Sequence, residues 1–600
     1  MADDEVVIPG SYACLVVASV FAAGFLALAV RLKAVQIDSV ATLAYSGEKQ
    51  SVRLVRTDGI RGRIIASGGE VLADNRPVRS IVLDAAFFQK RSWGATATNI
   101  MESIERACEI VGRPSSLAER DIARHLHQRL ARPLSVLRDL TDDEVARFSE
   151  HSDELPGFAC IETLDRWYPQ GSLAAHILGY VGRDRVEGGG GDEKINYRDF
   201  GMHGRSGLEV FYDSFLRGVP GEKKLIVDAR GFACREMTTV EPKPGPDLVL
   251  SLDVDLQDEA EHQLEGVRGA AVALDPINGG VLAIASSPGF DPNDFVPTLS
   301  ADLYERLSKD PEKPLLNRAV AGSYAPGSTF KPITALAALT AGVSPYEEHE
   351  CVGYFALGGM RIRCSRTWGH GYLDMAHALK ESCNPFFCDV SLKIGTNGLA
   401  TAARSFGLGA RTGIDLPGET GGVVPDAAWK REHWHEPWYP GDLPQMSIGQ
   451  GMLLATPLQM ARVAAALGTG YLVTPHVKAD APSAKIPIPW PKDEVDHVRR
   501  GMRLVVTEGT GRKGAAHLNA YVIGKTGTAE VGAGATRRKN TWFIAYAEPC
   551  DFAQDGDTPL RRSDKTGSVA VAMVVENGES GGGTTAPRVR EILRRRFGER

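Results

Sequence analysis

A surplus of positive charge is absent from this chain of 600 residues. It has 68 Lys and Arg against 75 Asp and Glu, which gives a formal net charge of −7. Proteins that bind nucleic acid usually carry a basic patch, so nothing in the composition indicates a nucleic-acid partner. Hydrophobic residues make up 43% of the chain and charged residues 24%, as is usual for globular proteins. A chain of this length is expected to form more than one domain.

Charge is also absent from the segment Tyr12–Val30, near the N-terminus. The segment is long enough to span a bilayer as a helix. It lacks an evident small-residue cleavage site, so we predict a retained membrane anchor at residues 12–32, preceded by a cytoplasmic tail at 1–11. A helix buried in a protein core is the alternative, but the extreme N-terminus rarely supplies one.

The segment Ser328-Thr329-Phe330-Lys331 has the features of a serine nucleophile whose general base is one helical turn away. Pro332 follows it, and a helix tolerates proline only in its first turn. The helix should therefore start near Ser328. Its free N–H groups and positive dipole end would favour a developing oxyanion, and Lys331 would lie on the same face as Ser328, within reach of its proton.

By itself the S-x-x-K pattern is a weak signal, because about two or three matches are expected by chance in a chain of this length. Ser46-Gly47-Glu48-Lys49 is another match. The signal becomes specific because Ser382-Cys383-Asn384 and Lys525-Thr526-Gly527-Thr528 follow in order. S-x-x-K, S-x-N and K-T-G together are the signature of β-lactamases and penicillin-binding proteins.

A second K-T-G occurs at Lys565-Thr566-Gly567, after a polar stretch and before the apolar run Val569–Val575. Lys525 instead ends an apolar run and is followed by a second one at Thr541–Tyr546. The segments around 525, 541 and 569 therefore predict three successive antiparallel strands. Lys525 would lie on an edge strand that lines a cleft, whereas Lys565 would lie in a connection. We assign the motif to Lys525.

Over nearly its whole length the chain resembles a class B penicillin-binding protein, a membrane-anchored D,D-transpeptidase of peptidoglycan synthesis. Stretches of the N-terminal half are similar to the family's pedestal motifs: Arg61–Ile65 with Gly69–Ala73, Arg166–Gly171 with Ala175–Gly182, and Gly207–Glu209 with Tyr212-Asp213 and Leu216–Gly218.

The resemblance implies an α+β protein with one transmembrane helix and an elongated pedestal for dimerisation or partner docking at residues 33–245. A β-lactamase-like transpeptidase domain would follow at 246–600, with an antiparallel sheet and helices on both faces. Pro242-Lys243-Pro244-Gly245 marks the boundary between the two. The order of predicted elements agrees, since helical stretches separate a hairpin at about 270–286 from the three C-terminal strands.

The resemblance also assigns roles. The catalytic set is Ser328, Lys331, Ser382, Asn384 and Lys525, and the substrate-binding set is Thr526, Gly527 and Thr528. Ser328 would displace terminal D-Ala from a stem peptide, and an amine of a neighbouring stem would then take the acyl group. A lysine at its ordinary pKa is neutral in only about one molecule in 2,500 at pH 7, so Lys331 can act as base only if burial and a second cation lower its pKa. No cofactor is required for this chemistry.

Trp438–Gly441 and Gln445–Gln459 resemble the elongation-type member of the family more than the division-type one. An elongation-type role implies a SEDS-type glycosyltransferase and other elongation-complex membrane proteins as partners, beside D-Ala-D-Ala stem peptides and β-lactams. A division-type transpeptidase is the alternative. A secreted β-lactamase would not need an anchor and a pedestal, and a penicillin-sensing receptor would need further spans and an effector domain.

The resemblance places the anchor in the bacterial inner membrane and the catalytic domain in the periplasm. The flanking charges indicate the opposite orientation, since Asp3, Asp4 and Glu5 precede the apolar segment while Arg31 and Lys33 follow it. Long domains translocate largely regardless of flanking charge, so a periplasmic catalytic domain is our expectation.

Cys351, Cys364, His370 and Cys383 form a further candidate site. Three thiols and an imidazole in a short glycine-rich segment are the ligand set of a structural zinc site, although the spacing is not that of a zinc finger. The last three resemble in position the ligands of a zinc site in some elongation-type relatives. A Cys351–Cys364 disulfide and plain packing of buried cysteines stay open, with Cys388 a substitute ligand. A metal here would pin the second catalytic motif, whose middle residue is Cys383.

Overall fold

The structure of the chain is a computed structural model, which describes residues 10–38, 52–57, 59–127, 133–183, 196–198, 202–228, 233–532, 537–552, 559–561 and 567–599. Ser46–Lys49, Lys565-Thr566 and residues 1–9 of the predicted tail lie outside these ranges.

Helix α1 (Gly10–Lys33) contains the apolar segment predicted to be an anchor. The span Cys14–Ile37 has a mean hydropathy of 2.3, and none of it is buried against the rest of the described protein. A core helix would be covered by other elements, which disfavours the core-helix alternative. The helix is long and apolar enough to serve as a single-pass membrane anchor.

Two larger sheets, a two-stranded sheet and several helices form the described part of the region that follows the anchor. Its strands are β1 (Val52–Thr57), β2 (Ile64–Ile65), β3 (Val71–Leu83), β4 (Leu134–Leu137), β5 (Phe158–Trp167), β6 (Val181–Arg183), β7 (Asn196–Arg198), β8 (Met202–Gly204), β9 (Gly221–Val227), β10 (Ala233–Val240) and β11 (Leu248–Val249). One sheet has the order β10-β9-β1-β7, and the other β11-β2-β3-β4 with β5 also paired to β3. Strand β11 lies beyond residue 245 yet pairs with β2, so the two predicted domains share a sheet edge.

The helices of this region are α2 (Trp93–Val111), α3 (Glu119–His127), α4 (Asp142–Glu150), α5 (Ala175–Leu178), α6 (Gly207–Phe211) and α7 (Asp213–Leu216). Local sequence sets their ends. The Ser92 side chain accepts a hydrogen bond from the Ala95 N–H and starts α2, while Gly112 at φ 81° ends it. Thr141 and Glu144 form a reciprocal capping box at the start of α4.

A buried ion-pair cluster joins the three pedestal motifs. Arg61 Nε donates to Glu209 Oε2 at 2.6 Å, and Arg166 Nε donates to Glu209 Oε1 at 2.7 Å. Burial alone would raise the pKa of Glu209, but the two guanidinium groups hold it below its ordinary value. Three motifs, separated by up to 148 residues in sequence, therefore converge on one carboxylate.

The strands of the C-terminal region are β12 (Gly269–Leu274), β13 (Val281–Ser287), β14 (His349–Cys351), β15 (Tyr354–Leu357), β16 (Met360–Arg363), β17 (Gly371–Leu373), β18 (Tyr471–Val473), β19 (Lys485–Pro487), β20 (Ala520–Val531), β21 (Arg538–Phe552), β22 (Pro559–Arg561) and β23 (Val569–Glu576). The main sheet has the order β13-β12-β23-β21-β20, with β22 paired to β21. All its pairings are antiparallel. The three predicted C-terminal strands are confirmed, and Lys525 lies on the edge strand β20.

The helices of this region are α8 (Val254–His262), α9 (Ala301–Lys309), α10 (Arg318–Ala321), α11 (Lys331–Thr340), α12 (Met375–Lys380), α13 (Asn384–Ser405), α14 (Ala427–Trp434), α15 (Asp442–Ser447), α16 (Pro457–Thr469), α17 (Lys492–Thr507) and α18 (Ala586–Phe597). They cover both faces of the main sheet. Trp542 and Ile544 of β21 pack into one core, and Phe543 and Ala545, which alternate with them, pack into the other. Because both faces are buried, β12 and β23 are almost entirely apolar, and the predicted α+β layering is confirmed.

Small hairpins extend from this layered body. Strand β14 pairs with β17, and β15 pairs with β16 between them. We refer to residues 349–373 as the cysteine loop, because they contain Cys351, Cys364 and His370. The loop leads into α12 and so into the second catalytic motif.

Candidate active site

Ser328 lies in a 3₁₀ turn, Gly327–Phe330, that runs directly into α11, with Pro332 in the first helical turn. The predicted helix start near Ser328 is confirmed. Strand β21 holds the segment just before this turn, because the Trp542 indole N–H donates to the Ala325 carbonyl at 3.0 Å. Gly327 has a φ of 57°, and a Cβ atom there would stand 2.9 Å from the Thr528 carbonyl oxygen. Only glycine therefore allows β20 to approach the Ser328 turn this closely.

Lys331 is fully buried, and its amine binds the second motif. Its Nζ donates to the Ser382 carbonyl at 2.7 Å and to Asn384 Oδ1 at 2.7 Å, and lies 3.3 Å from Ser382 Oγ. Burial lowers the pKa of Lys331 to about 8. Among the described residues no hydrogen bond joins Lys331 to Ser328. The amine is thus held beside Ser382. Proton transfer from Ser328 to Lys331 stays a prediction.

The second motif sits in a tight corner between α12 and α13. Ser382 has a φ of 55°, a left-handed conformation that costs a residue with a side chain about 1–3 kcal/mol. The Cys383 N–H donates to the Ala378 carbonyl at 2.9 Å. Asn384 starts α13 and its Nδ2 donates to the Arg363 carbonyl at 2.9 Å. Helix α12 and the cysteine loop therefore hold the corner in this strained shape from two sides.

Lys525 approaches the same hydroxyl from the sheet edge. Its amine is fully buried and donates to Ser382 Oγ at 3.0 Å and to the Thr526 carbonyl at 3.1 Å. Burial first, and then repulsion from Lys331, hold the pKa of Lys525 well below its ordinary value. For Lys331 burial is the leading cause of the lowered pKa, and its action as a neutral base stays a prediction. The predicted repulsion between the amines acts chiefly on Lys525.

Hydroxyl groups line the edge strand next to Lys525. Thr526 Oγ1 is 2.7 Å from Thr510 Oγ1, and Thr528 Oγ1 accepts from the Gly581 N–H at 3.2 Å. Gly527 lies between the two threonines, and a Cβ atom there would stand 2.8 Å from the Pro326 carbonyl oxygen. An edge strand with a lysine amine and two threonine hydroxyl groups is suited to bind a carboxylate.

The four predicted metal ligands meet in one place. The ligand atoms of Cys351, Cys364, His370 and Cys383 all lie within 4.8 Å of one another. His370 Nδ1 is 3.5 Å from Cys351 Sγ and 3.4 Å from Cys364 Sγ. A hydrogen bond between Cys364 and Cys383 lowers the pKa of the Cys364 thiol and raises that of Cys383. None of the nine cysteines, all of which lie in the described ranges, forms a disulfide, and the Cys388 thiol donates to the Pro444 carbonyl.

Two family models match the chain. The penicillin-binding protein dimerisation domain matches residues 56–250, and the penicillin-binding protein transpeptidase domain matches residues 269–554. The peptidoglycan D,D-transpeptidase MrdA of Acinetobacter baumannii is 33% identical over 573 residues, which are 93% of this chain and 83% of that relative. The chain belongs to the class B penicillin-binding proteins.

Solved structures place this penicillin-binding protein within the family. Penicillin-binding protein 2 (PBP2) of Helicobacter pylori, solved in complex with MreC, superposes with a TM-score of 0.75 at 27% identity, covering 90% of this chain and 98% of that one. A chain from a peptidoglycan synthase complex that coordinates polymerization and crosslinking gives a TM-score of 0.70 at 29% identity, covering 98% and 99%. The elongation-type subclass predicted from the sequence is confirmed.

Sequence reasoning missed several residues that shape the site of this transpeptidase. Thr510 contacts Thr526, Gly581 contacts Thr528, and Trp542 holds the nucleophile turn. Trp542 reads in the sequence as an ordinary core residue of a strand. Gln450 Nε2 donates to the Thr528 carbonyl at 3.3 Å, but nothing in its neighbourhood of the sequence signals that contact. Only the tertiary fold brings these residues to the motifs.

Proposed function

We propose that this elongation-type peptidoglycan D,D-transpeptidase uses Ser328 as its acylated nucleophile. The observation that carries the proposal is the convergence of Lys331, Ser382, Asn384 and Lys525, from three distant segments, into one hydrogen-bonded chain beside the Ser328 turn. Such a chain of buried amines and a shared hydroxyl serves proton transfer at neutral pH.

In the first half of the reaction, Lys331 in its neutral form takes the proton of Ser328 as Oγ attacks the carbonyl carbon of the penultimate D-Ala. The backbone N–H groups of Ser328 and Thr528 would stabilise the oxyanion, as in the family. Each donor would raise the rate by a factor of about 10²–10³. Ser382 relays the proton to the leaving amine of terminal D-Ala, and Asn384 holds the amide of the donor stem. In the second half an amine of a neighbouring stem attacks the acyl-enzyme and Ser328 recovers its proton.

The substrate's terminal carboxylate is assigned to Lys525, Thr526 and Thr528, with Gly527 allowing close approach. Lys525 and the two hydroxyl groups lie on one edge strand, where the carboxylate can bind between them. β-Lactams would enter the same site, since they carry an equivalent carboxylate and acylate the same serine.

Covalent labelling with a fluorescent penicillin tests the nucleophile. Labelling should vanish in Ser328→Ala and persist in Ser46→Ala, which removes the serine of the other S-x-x-K match. Persistence of label in Ser328→Ala would disprove the assignment. Slow release of benzylpenicilloate over many minutes is expected of a transpeptidase, whereas release within seconds would favour a β-lactamase.

The cysteine cluster fits a structural zinc ion. Tetrahedral zinc, with Zn–S of about 2.3 Å and Zn–N of about 2.0–2.1 Å, places nitrogen and sulfur ligands about 3.5 Å apart, which agrees with the two distances from His370 Nδ1 to thiol sulfurs, 3.4 and 3.5 Å. Cys351, Cys364, His370 and Cys383 would hold the ion. Its contribution would be structural, because four protein ligands leave no open position for substrate.

Elemental analysis of purified protein should find about one zinc per chain. His370→Ala should lose the metal together with thermal stability and penicillin acylation. His377→Ala, which alters an exposed histidine of α12 outside the cluster, is the control and should keep all three. Metal-free protein that is stable and fully reactive would refute the zinc site.

Placement in the cell is inferred from the anchor and from the relatives. Helix α1 would hold the chain in the bacterial inner membrane, with the catalytic domain in the periplasm where peptidoglycan is cross-linked. Sequencing of the membrane form should start at or near Met1, and a start beyond Val35 would show that the anchor is removed. The division into tail (1–11), anchor (12–32), pedestal (33–245) and transpeptidase domain (246–600) stays a prediction.

A glycan polymerase is the expected partner, because the two matched family models leave glycan polymerisation unassigned. PBP2 is found with MreC and a relative occurs in a peptidoglycan synthase complex, which supports a SEDS-type glycosyltransferase and elongation-complex membrane proteins as partners. Co-purification of the full chain with such a polymerase from membranes should require α1 and the pedestal, and should persist in Ser328→Ala.

A further inference from the structure

Three arginines of the cysteine loop have no assigned role. Arg361, Arg363 and Arg366 are exposed, and residues 351–373 contain no Asp or Glu, although acidic residues outnumber basic ones in the whole chain. Across the ranges that the structure describes, none of the three makes an ion pair with a carboxylate. Guanidinium groups collected in this way, without counter-charges, create a local positive field.

The hairpin β15–β16 presents two of these arginines on one face. Phe355 and Ile362 pack towards the core, so Arg361 and Arg363, which alternate with Ile362, lie on the outer face. The Arg361 guanidinium stacks on the Tyr354 ring at 3.5 Å from its centroid. A stacked guanidinium keeps its in-plane N–H donors available for an anion. Like charges two residues apart on one strand face repel each other, and a bound anion would remove that repulsion.

This face adjoins the catalytic cleft. The Arg363 carbonyl accepts the hydrogen bond from Asn384 Nδ2 at 2.9 Å, so the base of the Arg363 side chain is next to the residue assigned to the donor amide. The part of the donor that continues beyond that amide must leave the cleft past Asn384. In a stem peptide this part is the remaining chain, and in a β-lactam it is the acyl side chain.

We propose that Arg361, Arg363 and Arg366 form an anion subsite that binds a carboxylate of the acyl-donor peptide, on the side of the amide held by Asn384. The proposal rests on the proposed function, since it takes its direction from the role of Asn384. Arginine pairs with carboxylates through two parallel hydrogen bonds, so the subsite would favour acidic donor peptides over neutral ones.

Two penicillins with the same ring system test this subsite. Benzylpenicillin has an uncharged acyl side chain, and carbenicillin carries an additional carboxylate on it. Second-order acylation rates would be measured on the full-length protein for the unsubstituted chain, Arg363→Gln, Arg363→Lys and the triple glutamine variant. Arg120→Gln, an exposed arginine of α3 in the pedestal, is the control.

Arg363→Gln should slow carbenicillin acylation by about twofold to fivefold, the range of a solvent-exposed ion pair, and the triple variant should slow it further. Benzylpenicillin acylation should fall less than carbenicillin acylation in both variants, because its acyl side chain carries no carboxylate, so the ratio of the two rates should change. Arg363→Lys should keep part of the carbenicillin acylation rate that Arg363→Gln loses. Raised salt should reduce the contribution of the arginines to that rate, and Arg120→Gln should change neither rate.

An unchanged ratio of the two rates in the triple variant would overturn the proposal. Equal loss with both penicillins, together with loss of zinc, would also overturn it, because the arginines would then support the cysteine cluster and not the substrate. Failure of benzylpenicillin to label the unsubstituted chain would instead refute the proposed function, and the subsite with it.

Discussion

Acylation of Ser328 should rise steeply with pH, because the proposed base is a buried lysine that must be neutral to accept a proton. Burial lowers the pKa of Lys331 from 10.5 to about 8. At pH 7 this raises the neutral fraction about 300-fold, equivalent to about 3.4 kcal/mol at 1.36 kcal/mol for each pKa unit. With a pKa of about 8, the neutral fraction grows from about 1% at pH 6 to about 90% at pH 9.

The rate of benzylpenicillin acylation should therefore increase about 90-fold between pH 6 and pH 9 and level off above the pKa of Lys331. Stopped-flow measurement of the second-order rate constant would give the profile, with the far-UV spectrum checked at each pH. Because Lys331 and Lys525 share the Ser382 hydroxyl, the inflection belongs to the coupled pair. Lys331→Met should lower the rate by about 10²–10⁴ and remove the rising limb.

The sign of the stability change provides an independent check. A lysine whose pKa is lowered on folding binds fewer protons in the folded state, so stability should rise with pH between about 8, the folded pKa, and about 10.4, the unfolded one. Below pH 8 the full penalty of burying the amine remains. An acylation rate that is flat from pH 6 to 9, or that inflects only near pH 10, would show that Lys331 is not the neutral base.

Three further predictions concern the groups around the site and the pedestal. Lys525→Ala should slow acylation severely, because Lys525 donates to the Ser382 hydroxyl from the edge strand β20. Lys565→Ala should hardly change the rate, and equal losses would contradict the assignment of the motif. Thr510→Val should lower the second-order rate constant of penicillin acylation about fivefold, because Thr526 loses one neutral hydrogen bond. The Tm should not change. Glu209→Gln should lower the free energy of unfolding by about 3–5 kcal/mol, and the Tm with it, because two buried guanidinium groups lose their counter-charge. Glu236→Gln, which breaks an exposed ion pair, should lower it by at most about 1 kcal/mol. The contribution of Glu209 should fade as pH falls below about 4.5, since its folded pKa is lowered.

The parts of the site that local sequence determines could be predicted. Pro332 fixes where α11 can begin, and that predicted a helix start near Ser328, which lies in the 3₁₀ turn leading into α11. The apolar runs on either side of Lys525 predicted its strand, and the order of three runs predicted a sheet edge. In each case the signal lies within a few residues of the motif.

The parts that depend on tertiary packing could not be predicted. Nothing in the sequence around Ser382 signals a left-handed backbone, yet the residue adopts a φ of 55° because its neighbours fix the corner. The hydrogen bonds of Lys331 to the second motif, and the contact of Thr510 with Thr526, join segments separated by 51 and 16 residues. No local pattern encodes such pairs.

The corner at Ser382 links catalysis to the cysteine loop. Its carbonyl and hydroxyl oxygens accept hydrogen bonds from Lys331 and Lys525, while the next residue, Cys383, belongs to the cysteine cluster. Asn384 in turn is held by the Arg363 carbonyl, on the hairpin that carries the exposed arginines. A strained backbone persists only where its surroundings hold it, so the loop that would bind zinc and the donor carboxylate also maintains the geometry in which Lys331 and Lys525 meet. Substitutions in residues 349–373 should therefore alter donor selectivity and the pH profile of acylation together when they disturb the corner, and selectivity alone when they change only the outer face of the hairpin.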